Sequence, residues 1–287
     1  MPPAEPAEAS GTRRDVVSFV RRGTRLTRSR QAAWDRLAPT WVLDIPLGDR
    51  DTIPRPDARL DLEAEYGRRA PLVVEIGSGL GENIAAAAAR DGDRDHLAFE
   101  VYAPGIAQTL DRIEKAGSPR NVRLAALDAP HALPVLLPPR SIDEVWIFFP
   151  DPWHKSRHHK RRIVNPPLLD ALAPLLREEA VLRLATDWAQ YAFHMREVLD
   201  ADPRFAPLHP DGERPDVALG AAPSDPIPET MPARGWAPRF EGRVLTSFER
   251  KAGDAGRISW DLAYRFDPAH SAAPSPAAGD RTPGESA

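Results

Sequence analysis

The sequence predicts an α/β fold: one mostly parallel sheet of seven strands, covered by helices on both faces, with an antiparallel strand at its end. Three observations predict it. From residue 72 to residue 199, short apolar runs alternate with segments of helical spacing. The strand-like runs are apolar nearly throughout instead of alternating, the pattern of strands buried on both faces. Near the C-terminus the rhythm changes: residues 243–250 and 257–266 alternate in the β manner with no helix between them, which predicts an antiparallel hairpin at the sheet edge.

The elements follow in order. Leu72-Val73-Val74-Glu75-Ile76 is a first strand that runs into Gly77-Ser78-Gly79-Leu80-Gly81 and an alanine-rich helix over about 82–90. Residues 96–101 read as a second strand, and 106–116 as a helix through Ile106, Leu110 and Ile113. Residues 122–126 form a third strand and 142–149 a fourth. A helix over 168–176, a fifth strand over 180–185 and a helix over 188–199 complete the alternating part. Residues 202–240 contain nine prolines and little periodicity, so they read as an insertion within a domain spanning 71–266. Residues 1–12 and 267–287 are expected to be disordered, and 13–70 to form a basic arm and lead-in.

Composition narrows the class. A chain of 287 residues with 42% hydrophobic residues can bury one sizeable α/β core. The absence of cysteine excludes disulfides, thiolate nucleophiles and cysteine-ligated metals. No apolar run approaches the ~20 residues of a membrane helix. The start, MPPAEPAEAS, lacks the basic and apolar regions of a signal peptide. A cytoplasmic protein is expected, as a monomer or a homodimer. The net charge of −4 conceals two basic patches. Seven arginines and one acid lie between Arg13 and Arg30, and five Lys or Arg with no acid between Lys155 and Arg162. Such patches, more than net charge, attract phosphate. The first is either a clamp for RNA or a basic tail.

The glycine turn carries the first site. Glycines at a strand-to-helix turn leave a ligand room to reach the backbone and the helix N-terminus. The spacing of Gly77, Gly79 and Gly81 departs from the dinucleotide fingerprint G-x-G-x-x-G, and Glu75 stands just before it. This variant resembles the first motif of class I methyltransferases. Their ligand, S-adenosyl-L-methionine, has a zwitterionic amino-acid end and a sulfonium but no pyrophosphate, which an acid would repel. Glu100, nineteen residues beyond Gly81 at the end of the second strand, suits a ribose diol. Asp128, after the third strand, suits an adenine amino group. A glycine-rich turn with surface carboxylates and a nicotinamide dehydrogenase are the competing readings, and the acids after successive strands weigh against both.

The fourth strand runs into Phe149-Pro150-Asp151-Pro152-Trp153-His154-Lys155. Two prolines stiffen the backbone around Asp151. Trp153 serves either for stacking or as a packing anchor. The cations beside His154, His158 and His159 would repel a metal ion, so no metal is expected.

This run, followed by Arg157, Lys160, Arg161, Arg162 and Ile163, resembles the signature of bacterial tRNA (guanine-46-N7)-methyltransferases. The resemblance extends to Phe99-Glu100-Val101, Pro104-Gly105, Ala185-Thr186-Asp187-Trp188 and Thr246-Ser247-Phe248-Glu249-Arg250. It implies a class I, Rossmann-like fold and methyl transfer from S-adenosyl-L-methionine to N7 of guanine 46, in the variable loop of tRNA. It implies that Glu75, Gly77, Gly79, Gly81, Glu100, Asp128 and Asp151 bind the methyl donor, with Asp151 catalytic. It also implies that Lys155, Asp187, Thr246, Ser247, Phe248 and Glu249 bind substrate, and that Arg157, Lys160, Arg161 and Arg162 contact RNA. The division of roles between Asp151 and Asp187 stays open. So do methylation of another acceptor and an RNA-binding scaffold without catalysis.

Overall fold

A computed structural model describes residues 25–215 and 225–269. The expected disorder of 1–12, residues 13–24 of the basic arm, residues 216–224 of the proline-rich stretch and the tail from 270 lie outside the described residues.

Five strands alternate with helices: β1 (Leu72–Ile76), β2 (Asp95–Phe99), β3 (Val122–Ala125), β4 (Ile142–Phe148) and β5 (Leu176–Thr186). Two more follow, β6 (Phe205–Pro207) and β7 (Trp260–Phe266). The sheet order is β3-β2-β1-β4-β5-β7-β6. The first five strands pair in parallel, and β7 runs antiparallel to both β5 and β6. The order reverses at β1, so the crevice above the C-terminal ends of β1 and β4 is where such a sheet binds ligands.

Helices cover both faces. α1 (Arg28–Trp41), α3 (Glu82–Arg90) and α4 (Ala103–Lys115) pack on one, with Val73, Trp146 and Phe148 beneath them. α5 (Ala129–Leu136), α6 (Pro166–Leu172) and α7 (Ala189–Asp200) pack on the other, over Val74, Val145 and Leu184. Strands sandwiched this way are buried on both sides, which is why β1 is apolar at every position but Glu75. The short α2 (Leu62–Tyr66) lies in the lead-in. Local chemistry sets the helix starts. Thr27 accepts from the Arg30 amide at the start of α1, and Asn165 caps α6 ahead of Pro166.

Two expectations are corrected. Residues 243–250 are not a strand: α8 (Ser247–Asp254) takes up their second half. The alternation of Val244, Thr246 and Phe248 mimics a strand, but Thr246-x-x-Glu249 is a helix start. The Thr246 hydroxyl accepts from the Glu249 amide at 3.2 Å. The sheet therefore has no 243–266 hairpin. Its seventh strand comes from the proline-rich stretch as β6, and β7 inserts between β5 and β6 instead of closing the edge.

Candidate active site

The C-terminal ends of β1 to β4 open onto one cavity. Its lining includes Glu75, Gly77, Gly79, Glu100, Asp128 and Asp151, together with Thr246 and Phe248. Among the described residues, the charged ones in the lining are Glu75, Glu82, Glu100, Asp128 and Asp151, five carboxylates and no Lys, Arg or His. Such a cavity favours a cationic ligand and disfavours a phosphate. Glu82, the first residue of α3, had no sequence signal beyond its place after Gly81.

The glycines build the turn. Gly77, Gly79 and Gly81 all have left-handed backbone (φ 79°, 58° and 73°). A Cβ on Gly81 would lie 2.2 Å from the Thr109 hydroxyl, so the turn packs directly on α4. Gly81 does not line the cavity; it starts α3.

Each carboxylate is held differently. Glu75 is 3% exposed, and one of its oxygens has no hydrogen-bond partner. The other lies 3.4 Å from the Asn83 amide nitrogen. Burial, helped by the nearby Glu100 charge and opposed by Asn83, pushes the Glu75 carboxyl up to about 8. Glu100 accepts from the backbone amides of Gly79 (2.7 Å), Val101 and Tyr102 (both 2.8 Å). Those bonds tie β2 to the glycine turn. Asp128 stands before α5 and pairs with His131 Nδ1 at 2.8 Å. Asp151 is half-buried on the turn after β4. That turn is strained: Phe149 and Trp153, on either side of Pro150-Asp151-Pro152, have φ of 51° and 48°.

Beyond Asp151 the charge changes sign. A 3₁₀ helix, Ser156–Arg161, follows Lys155. Lys155, Arg157 and Lys160 are exposed. Arg161 is half-buried, with its guanidinium 4.1 Å from the centre of the Trp153 ring. Trp153 also meets His158 edge-on. Desolvation, then the charges of Arg157, Arg161, Lys155 and Lys160, push the His158 imidazole down.

Arg162 departs from this group. It is 3% exposed and donates to the Pro152 carbonyl at 3.1 Å, while its guanidinium stacks on Tyr191 of α7. It braces the Asp151 turn from inside. Nothing in the spacing of Arg157, Lys160, Arg161 and Arg162 separates the last from the others.

The remaining expected residues divide in the same way. Thr246 and Phe248 face the cavity. Ser247 donates its amide and hydroxyl to Glu82 at 2.7 and 3.0 Å, fastening α8 over the glycine turn. Glu249 is 9% exposed and taken up by Arg239 (2.8 and 2.9 Å) and Arg243 (3.2 Å). Burial works to raise its carboxyl, but the arginine hydrogen bonds prevail and hold it below the usual range. Asp187, after β5, forms an ion pair with Arg257 at 2.8 Å and lies outside the cavity lining. Asp225, from the proline-rich stretch, accepts from the amides of Ala189 and Gln190 and so caps α7.

The family model described as "Putative methyltransferase" matches residues 69–222. A tRNA (guanine-N(7)-)-methyltransferase of Paenarthrobacter aurescens is 44% identical over 87% of this chain and 91% of its own. One from Arthrobacter sp. is 46% identical over 87% of this chain and 86% of its own. Among solved structures, an antibiotic-related methyltransferase aligns with a TM-score of 0.45 at 16% identity, covering 77% of this chain and 99% of that one. At 44% and 46% identity to the two tRNA enzymes, over most of each sequence, the chain belongs to the tRNA (guanine-N7)-methyltransferase family.

Proposed function

We propose that this protein transfers the methyl group of S-adenosyl-L-methionine to N7 of a guanine in tRNA, at position 46 of the variable loop. The observation that carries the proposal is the five-carboxylate cavity beside an exposed cationic loop, with Asp151 on the turn between them. The residues suit the donor. The unpartnered Glu75 oxygen offers a buried acceptor to a cationic group, and no cation among the described residues lines the cavity to compete for it. Glu100 and Asp128 present acceptor oxygens to the cavity from the ends of successive strands, suited to a diol and an amino group.

When bound, S-adenosyl-L-methionine supplies an electrophilic methyl group on a sulfonium. Guanine N7 is a lone pair in the neutral base, so attack needs no strong general base. The protein's work is positioning and electrostatics. Asp151 stabilises the positive charge that spreads over the guanine ring, or accepts from its N1–H and 2-amino group. The strained turn between Phe149 and Trp153 fixes that carboxylate. Thr246 and Phe248 close the cavity on the α8 side. Lys155, Arg157, Lys160 and Arg161 neutralise backbone phosphates, which places the RNA without reading its sequence.

The test is incubation with unmodified tRNA and labelled S-adenosyl-L-methionine, followed by borohydride–aniline cleavage, which cuts at 7-methylguanine. Cleavage at the variable-loop guanine is the expected result. Label without cleavage there would reassign the acceptor, and no label would overturn the activity.

A further inference from the structure

We propose that Arg243 is a positioning residue for this reaction: a buried guanidinium that holds the Asp151 turn and α8 in register across the cavity without touching either substrate. The proposal rests on the methyl-transfer reading above. Arg243 is absent from the cavity lining, and its side chain is fully enclosed. It joins β7 to two segments that line the site, the end of β4 and the start of α8. Its two terminal nitrogens fork onto Asp261 of β7, and one also donates to Glu249 of α8 at 3.2 Å. Its flat face lies over the rings of Phe148 and Phe149, at 5.2 and 5.3 Å. Phe149 is the residue with left-handed backbone two positions before Asp151.

The neighbouring backbone extends the same connection. The Val244 amide donates to Asn83 Oδ1 at 3.3 Å, and Asn83 is the partner of Glu75. Arg239 bonds both Glu249 and the Arg243 carbonyl. The guanidinium thus touches the end of β4 ahead of Asp151 and the helix that carries Phe248, while the next residue's amide holds Glu75's partner.

The chemistry explains why arginine serves here. A buried carboxylate pair such as Asp261 and Glu249 needs a planar, multidentate cation, and only guanidinium can fork and stack at once. The Nε of Arg243 has no hydrogen-bond partner, so the arrangement gives up one buried hydrogen bond. A residue selected for stability alone gains little from that, since ion pairs in a core are often replaceable by apolar packing. Bracing a strained turn is a use that apolar packing does not supply.

The experiment compares wild type with R243K, which keeps the charge but loses the fork and the flat face. If R243K does not fold, D261N takes its place: Asp261 lies outside the cavity lining, and the change weakens the fork that holds the guanidinium. Folding is checked by circular dichroism, kinetics by labelled methyl transfer to tRNA, and local order by hydrogen exchange. Expected are a kcat ~30-fold or more below wild type, since small misplacements cost that much, a KM for tRNA within about threefold, and faster exchange in the peptides holding Phe149, Asp151 and α8. A folded variant with kcat near wild type per folded molecule would show that Arg243 is merely structural and would overturn the proposal. A wild-type protein that methylates no tRNA would instead overturn the reaction, and this proposal with it.

Discussion

The cavity and the 3₁₀ loop lie only a few residues apart on the chain, yet they carry opposite charge. Among the described residues the cavity is lined by five carboxylates and no cation; the loop carries Lys155, Arg157, Lys160 and Arg161 and no carboxylate. On the proposed function, this segregation would send a cationic small molecule and a polyanion to adjacent but separate places. Asp151 sits at the boundary, the last acid before the loop. The overall charge of −4 describes neither region.

The largest effect should come from breaking the boundary itself. Asp151→Ala is expected to lower kcat by roughly 10²-fold or more while leaving the circular dichroism spectrum unchanged, the size found when a positioned electrostatic group is lost. Activity within a few-fold of wild type would remove Asp151 from the reaction. Next comes the basic side. The double variant R157E/K160E should weaken tRNA binding by about 10–100-fold at low salt and reduce the slope of log K against log salt by about 2. Donor binding measured by calorimetry should stay as it was. A coupled loss of donor binding would show that the two regions are not independent.

The acidic side can be sharpened by pH. Burial moves Glu75 from its ordinary value of 4.5 to about 8 in the free protein. At pH 7 the free cavity therefore holds a proton that a bound cation must displace. Donor affinity should rise by up to about tenfold per pH unit from pH 6 and level off above pH 8, with proton release visible as buffer-dependent binding heat. E75Q should bind more weakly and lose this dependence. The same proton has a consequence for stability. Below 4.5 both folded and unfolded states are protonated; between 4.5 and 8 only the folded state is, so stability falls as pH rises through that window. E75Q should lack that fall.

The smallest effect on RNA should come from Arg162. Buried against Tyr191 and the Pro152 carbonyl, it is expected to contribute to folding instead of to phosphate contact. R162A should cost about 1–3 kcal/mol of stability and leave the salt slope of tRNA binding unchanged. A slope reduced by about 1 would restore Arg162 to the RNA surface.

Much of this molecule was legible without coordinates. The five alternating strands, the glycine turn and the acids Glu75, Glu100, Asp128 and Asp151 at successive strand ends depend on local spacing, and all four acids meet in one cavity. The edge of the sheet was not legible. Three residues of β6 in a proline-rich stretch carry too short a pattern, and the Thr246-x-x-Glu249 cap was hidden by apparent alternation.

What the sequence alone determined, then, is the class of fold, the order of its parallel strands along the chain and the acids at their ends, because backbone periodicity and turn chemistry act between near neighbours. Only the tertiary structure decided which charges are spent internally. Glu249 is held by Arg239 and Arg243, Arg162 is turned inward, and Asp225 caps a helix that begins 36 residues earlier. Ion pairing and burial depend on which distant segments come to lie side by side. Spacing along the chain marks Glu249 and Glu75 alike, and folding leaves one paired with arginines and the other open to a ligand.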